Sequence, residues 1–149
     1  MTQLTRRRRD DPHRETWIVS YGDVVVGHIG RRAGVPVTAP QWCWSCGFYP
    51  GCEPGQHRSG VAETFEAARA GFEAAWNTLL PQLSEAAFDE CRRSRAFHDW
   101  KERMWACGCR LPTQEMSGRS RCFCGAEIAV AGVSEHIYAA HMERTHASL

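Results

Sequence analysis

Two cysteines and two histidines near the C-terminal end of the chain have the types and spacing of a metal site. Cys122 and Cys124 are one residue apart, eleven residues follow, and four residues separate His136 from His141. Zinc prefers thiolate and imidazole ligands, and a structural zinc site takes four of them in a tetrahedron. These four residues therefore predict one bound Zn²⁺. A further histidine, His146, continues the series.

Other cysteines offer different ligand sets. The chain has eight cysteines, and in a reducing compartment closely spaced cysteines are more often metal ligands or redox groups than disulfides. Cys107 and Cys109 could join Cys122 and Cys124 in a four-thiolate site, which would leave the histidines free. In a third interpretation the histidines lie on a helix surface and the thiols bind nothing. A second zinc knuckle could use Cys43, Cys46, Cys52 and His57, although these residues also fit an alternating strand and its following loop.

The C-terminal stretch resembles the two-Cys two-His zinc finger. That family has an apolar residue four positions after the second cysteine and another three positions before the first histidine, where this chain has Ile128 and Val133. The chain departs from the family in its single residue between the cysteines and in a central spacer one residue shorter. The resemblance implies a small ββα module over about residues 120–146 whose folding depends on zinc.

The same stretch carries few features of catalysis or of base recognition. Glu135 precedes His136, but the chain has no H-E-x-x-H sequence. Counted from His136 as the seventh helix position, Ala129, Gly132 and Glu135 occupy the base-reading places, and none is Arg, Asn or Gln. Residues 107–149 contain four arginines and four glutamates. The sequence thus favours a structural zinc that supports a protein-binding surface, and a metal-dependent enzyme is a minor alternative.

The elements before the metal residues predict an α+β domain. "TWIVSY" and "VVVGHI", separated by Gly22 and Asp23, indicate a hairpin, and "QWCWSCGFY" indicates a third strand. Thr64 is a helix cap, and Ser84 caps a second helix. An apolar stripe at three- and four-residue intervals marks the first helix: Phe65, Ala68, Phe72, Ala75, Trp76 and Leu79. The prediction is a three-stranded antiparallel sheet packed by two helices, followed by the zinc-finger module.

Strands followed by an alanine-rich helix resemble the sheet-plus-helix DNA-binding domains of the plant ethylene-response and phage-integrase N-terminal families. That resemblance implies the second function hypothesis, a DNA-binding regulator that uses the three-stranded sheet and a basic N-terminal arm. The whole chain is similar to small proteins of GC-rich bacteria and their phages.

The predicted organisation is a disordered basic arm over residues 1–14, the α+β domain over 15–105 and the zinc-finger module over 106–149. The arm contains four consecutive arginines, Arg6 to Arg9, and a terminal block of charge is usually disordered. The 149 residues have a net charge of +1 and contain no apolar run of the roughly 20 residues that cross a bilayer. The N-terminus has no secretory signal pattern, so the expected compartment is the cytoplasm.

Overall fold

The computed structural model describes residues 3–142 of the chain. The chain divides into two compact units, Met1–Cys91 and Arg92–Leu149. The α+β class is confirmed, since the first unit is built on an antiparallel sheet and the described residues include three α-helices. None of these helices is both long and apolar enough to cross a membrane.

The sheet of the first unit has five strands, in the order β1-β2-β3-β4-β5. The strands are β1 Leu4–Arg8, β2 Thr16–Tyr21, β3 Val24–Arg31, β4 Trp42–Cys46 and β5 Arg58–Ala62. All neighbouring pairs are antiparallel, and β2 and β3 form the predicted hairpin, with Tyr21 opposite Val24. The three predicted strands are present, but the prediction of a three-stranded sheet is wrong because it omits both edges.

Within the basic segment predicted as a disordered arm, Leu4–Arg8 forms edge strand β1. Each of its residues pairs with β2, and Arg6 lies opposite Val19. The pairing uses backbone groups, so the charged side chains can remain in solvent. The Arg6 guanidinium also lies over the rings of Trp17 and Phe65, 5.4 and 5.1 Å from their centroids. Residues 1 and 2 of the predicted arm lie outside the described residues.

Helix α1, Phe65–Leu79, packs on one face of the sheet. It begins as predicted, because the Thr64 side chain accepts a hydrogen bond from the Ala67 backbone N–H at 3.1 Å. Four residues of the predicted stripe are buried, namely Ala68, Phe72, Trp76 and Leu79. They pack with β2, β3 and β4 residues and with Phe88 in a core of twelve buried residues.

Helix α2, Glu85–Ala106, includes residues of both units, and Ser84 caps it as predicted through a 3.3 Å hydrogen bond from the Ala87 backbone N–H. The second unit contains the rest of α2, the short strands β6 Arg119–Arg121 and β7 Glu127–Ala129, and α3 Val133–Ala140. The hairpin-then-helix order matches the predicted ββα module loosely. Its core also takes residues from α2, because Trp100 and Met104 are buried with Cys122, Ile128 and Ile137. Compactness does not test independent folding, so the division at residue 105 stays a prediction.

Candidate metal centre

A tight turn between β6 and β7 presents the two cysteines. The Cys122 backbone N–H donates to the Ala126 carbonyl at 2.8 Å, and the Gly125 N–H donates to the Cys122 carbonyl at 2.8 Å. Gly125 has a φ of 94°, which glycine adopts at little cost. The turn closes on itself, so the Cys122 and Cys124 side chains point to the same region.

The two histidines meet because α3 ends between them. On a regular helix, residues five apart differ by about 140° in direction, so their side chains would diverge. Here α3 stops at Ala140, and His141 has left the helical conformation, with φ −126° and ψ −7°. The His141 N–H still bonds to the Ile137 carbonyl at 2.9 Å. This cap turns the His141 ring back beside that of His136.

The structure brings the four predicted ligands together. One atom from each of Cys122, Cys124, His136 and His141 lies within 4.8 Å of all the others. Cys122 Sγ is 3.4 Å from His141 Nε2, Cys124 Sγ is 3.6 Å from His136 Nε2, and the two Nε2 atoms are 3.1 Å apart. Ideal zinc bonds in a tetrahedron place sulfur and nitrogen donors roughly 3.3–3.8 Å apart. The two sulfur–nitrogen distances fall in that range, and the nitrogen–nitrogen distance is about 0.2 Å shorter, so the four donors are close enough to hold one ion.

The surroundings favour the protonation state that metal binding requires. Burial lowers the pKa of His141 below its usual value of 6.5, and the nearby His136 and Arg103 lower it further. A lowered pKa keeps this imidazole neutral near pH 7, which is the form that binds metal. Without metal, the folded protein binds a proton at His141 less readily than the unfolded chain does. The free energy of unfolding therefore decreases as the pH falls from 6.5 toward the lowered pKa of His141.

The two thiols differ in exposure. Cys122 is buried, and its Sγ accepts a hydrogen bond from the Trp100 indole N–H at 3.4 Å. Cys124 is exposed. Between them, Phe123 packs on the His141 ring at 4.7 Å between centroids, and the Arg103 guanidinium lies 4.6 Å from the centre of the Phe123 ring. The cluster is thus packed on one side and open to solvent at Cys124.

The alternative ligand sets are not assembled in the described residues. Within residues 3–142, the cluster of the C-terminal cysteines and histidines is the only group of three or more potential ligands, so it includes neither Cys107 nor Cys109. Cys107 is exposed, and Cys109 packs against the core of the second unit. His146 lies outside the described residues.

Two cysteines of the first unit, Cys46 and Cys52, are core residues. Cys46 and Cys52 are buried among apolar side chains, and no metal-sized group of ligands forms around them in residues 3–91. Burial raises the pKa of the Cys46 thiol to about 11, with a further increase from Cys52, and burial also raises the pKa of Cys52. These thiols are therefore protonated near neutral pH, which disfavours the alternative of a second zinc knuckle.

The sequence did not identify Trp100 as a partner of the site. Trp100 lies on α2 and is buried. Its bond to a thiol 22 residues further along the chain has no sequence signature. No protein-family model, curated protein or solved structure matches this chain.

Proposed function

We propose that this is a zinc-binding protein in which one Zn²⁺, held by Cys122, Cys124, His136 and His141, maintains the fold of the second unit. The observation that carries the proposal is the convergence of two sulfur and two nitrogen donors from a hairpin turn and a helix end. This donor set suits zinc and excludes hard cations such as Mg²⁺ or Ca²⁺, which prefer oxygen.

A structural role is favoured over a catalytic one because the chain itself supplies all four ligands. A catalytic zinc keeps one position for water and has a base nearby. The nearest carboxylate in the sequence, Glu135, is exposed and is not part of the cluster. When bound, the ion would link the β6–β7 turn to the end of α3 and so close a small core.

Features on the surface of the second unit favour the binding of a protein partner. A groove of about 460 Å³ is bordered by Arg93 and Phe97 of α2 and by Tyr138 of α3. Phe97 and Tyr138 are exposed, and the Arg93 guanidinium lies 4.8 Å from the Tyr138 ring centre. Exposed aromatic side chains and arginine are enriched at protein interfaces. The helix itself carries no lysine or arginine that could bind phosphate.

Native mass spectrometry tests the metal assignment. We expect one zinc per chain, lost in His136→Ala and in His141→Ala, because three remaining ligands cannot close the tetrahedron. Cys107→Ser is the matched control, since it removes an exposed cysteine outside the cluster and should retain full zinc. Retention of zinc by both histidine variants, with loss in Cys107→Ser and Cys109→Ser, would instead establish the four-thiolate site.

The charged residues of the five-stranded sheet favour DNA binding as a second candidate function. The five strands of the first unit contain five arginines and one histidine and no Asp or Glu. Arg7 and His28 are exposed and lie in one row across the sheet, opposite Ile18. In the described part of the chain Arg7 has no carboxylate partner. An exposed arginine without a carboxylate partner, with a histidine in the same row of the sheet, is suited to phosphate contacts.

Titration of generic duplex DNA across salt concentrations distinguishes this candidate. If the sheet binds DNA, affinity falls with salt, and Arg7→Ala lowers the log–log slope by about 0.9, the contribution of one phosphate contact. Arg69→Ala is the control, because Arg69 lies on α1 and already pairs with Glu73 at 2.9 Å. Absence of binding at low salt eliminates the candidate.

A further inference from the structure

Helix α2 contacts the metal-ligand turn at two successive points. One is the hydrogen bond from the Trp100 indole N–H to Cys122 Sγ, at 3.4 Å. The other, three residues later on α2, is Arg103, whose guanidinium lies over the Phe123 ring. Trp100 is 3% exposed, so its N–H is shielded from water, and the indole nitrogen can only donate. The Cys122 sulfur is therefore the acceptor.

We propose that Trp100 is a positioning residue of the metal centre, whose indole N–H holds the Cys122 thiolate in place and couples α2 to the metal. The inference rests on the proposed zinc site. Hydrogen bonds to charged acceptors are stronger than those to neutral ones, so the bond to Cys122 strengthens when metal binding removes the thiol proton. The shielded N–H would otherwise remain buried without a partner, which is costly.

The arrangement is specific to one of the two thiolates. Within residues 3–142, Cys124 Sγ has a hydrogen bond only with another ligand, His136. Cys122 has the indole in addition to its 3.4 Å approach to His141. Partners outside the ligand set fix the orientation of metal ligands and tune their donation, and their removal typically lowers metal affinity about 10- to 100-fold.

The test compares Trp100→Phe with Trp105→Phe in the full chain. Trp105 lies on the same helix and is 85% exposed, so its replacement controls for the loss of a tryptophan. Zinc affinity is measured by competition with a chromophoric chelator. We expect binding about 10- to 100-fold weaker in Trp100→Phe and a change of less than about threefold in Trp105→Phe.

A spectroscopic readout separates positioning from general packing. A hydrogen bond stabilises the sulfur lone pair, so its loss should move the sulfur-to-metal charge-transfer band of the Co²⁺-substituted protein to lower energy. We expect this shift in Trp100→Phe and no shift in Trp105→Phe. If Trp100→Phe does not fold, benzothienylalanine at position 100 keeps the ring shape without the N–H and should show the same shift.

Two outcomes would overturn the inference, and only the second would also overturn the proposed function. An unshifted band, in Trp100→Phe or in the benzothienylalanine protein, shows that the indole N–H does not act on the thiolate, although the zinc site stands. A native protein that binds neither Zn²⁺ nor Co²⁺ removes both this inference and the proposed function.

Discussion

Removal of zinc is expected to abolish amide protection in the second unit while the five-stranded sheet stays protected. Within residues 92–142, the core of the second unit has only five buried hydrophobic residues, and one of them is the proposed ligand Cys122. A core of this size rarely holds a domain without a metal or a disulfide. The hydrophobic core of the first unit has twelve buried residues among those described, and it includes no residue of the cluster.

The structure enlarges the region that should lose amide protection when zinc is removed. The zinc-finger resemblance implied metal-dependent order over about residues 120–146, but Trp100 and Met104 of α2 share the core with Cys122. We therefore expect chelation to lower protection factors at least about a hundredfold in β6, β7, α3 and the second half of α2, since structural zinc contributes on the order of 10 kcal/mol. Trp100 fluorescence should change as well.

Hydrogen exchange followed by mass spectrometry measures this effect. Adding Zn²⁺ back should restore protection, and His136→Ala should resemble the chelated protein without any chelator. A zinc-free protein that keeps full protection in β6, β7 and α3 would show that the metal does not maintain this fold.

Gly27→Ala is expected to lower the free energy of unfolding more than an alanine substitution at any other glycine of the sheet. A Cβ at this position would collide with the Ser45 carbonyl oxygen on β4 and would lie 2.6 Å from Phe72 Cε2 in the core. Gly27 also has a φ of 155°, which side chains disfavour. Backbone cannot move away without breaking the β3–β4 pairing, so we expect destabilisation of at least about 3 kcal/mol.

Chemical denaturation of the first unit, followed by tryptophan fluorescence, measures the loss. Gly34→Ala is the matched control, because Gly34 also has a positive φ, 69°, but a Cβ there would meet no atom within 4 Å. It should cost only about 1 kcal/mol, the cost of the backbone conformation alone. Equal losses in the two variants would contradict the proposed steric origin.

The sequence was sufficient for the elements whose residues alternate between core and solvent. The stripe of α1, its Thr64 cap and the β2–β3 hairpin were all predicted, because burial on one face leaves a periodic apolar pattern. Edge strands leave no such pattern. Strand β1 is mostly arginine, and β5 has the sequence RSGVA, so neither strand shows an alternation of apolar and polar residues.

The candidate site also combines features that the sequence predicted with features that only the tertiary structure established. The types and spacing of Cys122, Cys124, His136 and His141 predicted a candidate ligand set, because zinc chemistry restricts which side chains can serve. Only the tertiary structure decided that Cys107 and Cys109 lie outside the cluster and that α3 ends at Ala140 so that His141 can turn back. It also placed the Trp100 indole on Cys122. Contacts between residues far apart in the chain depend on how α2 packs against the β6–β7 hairpin, and local sequence patterns do not predict that packing.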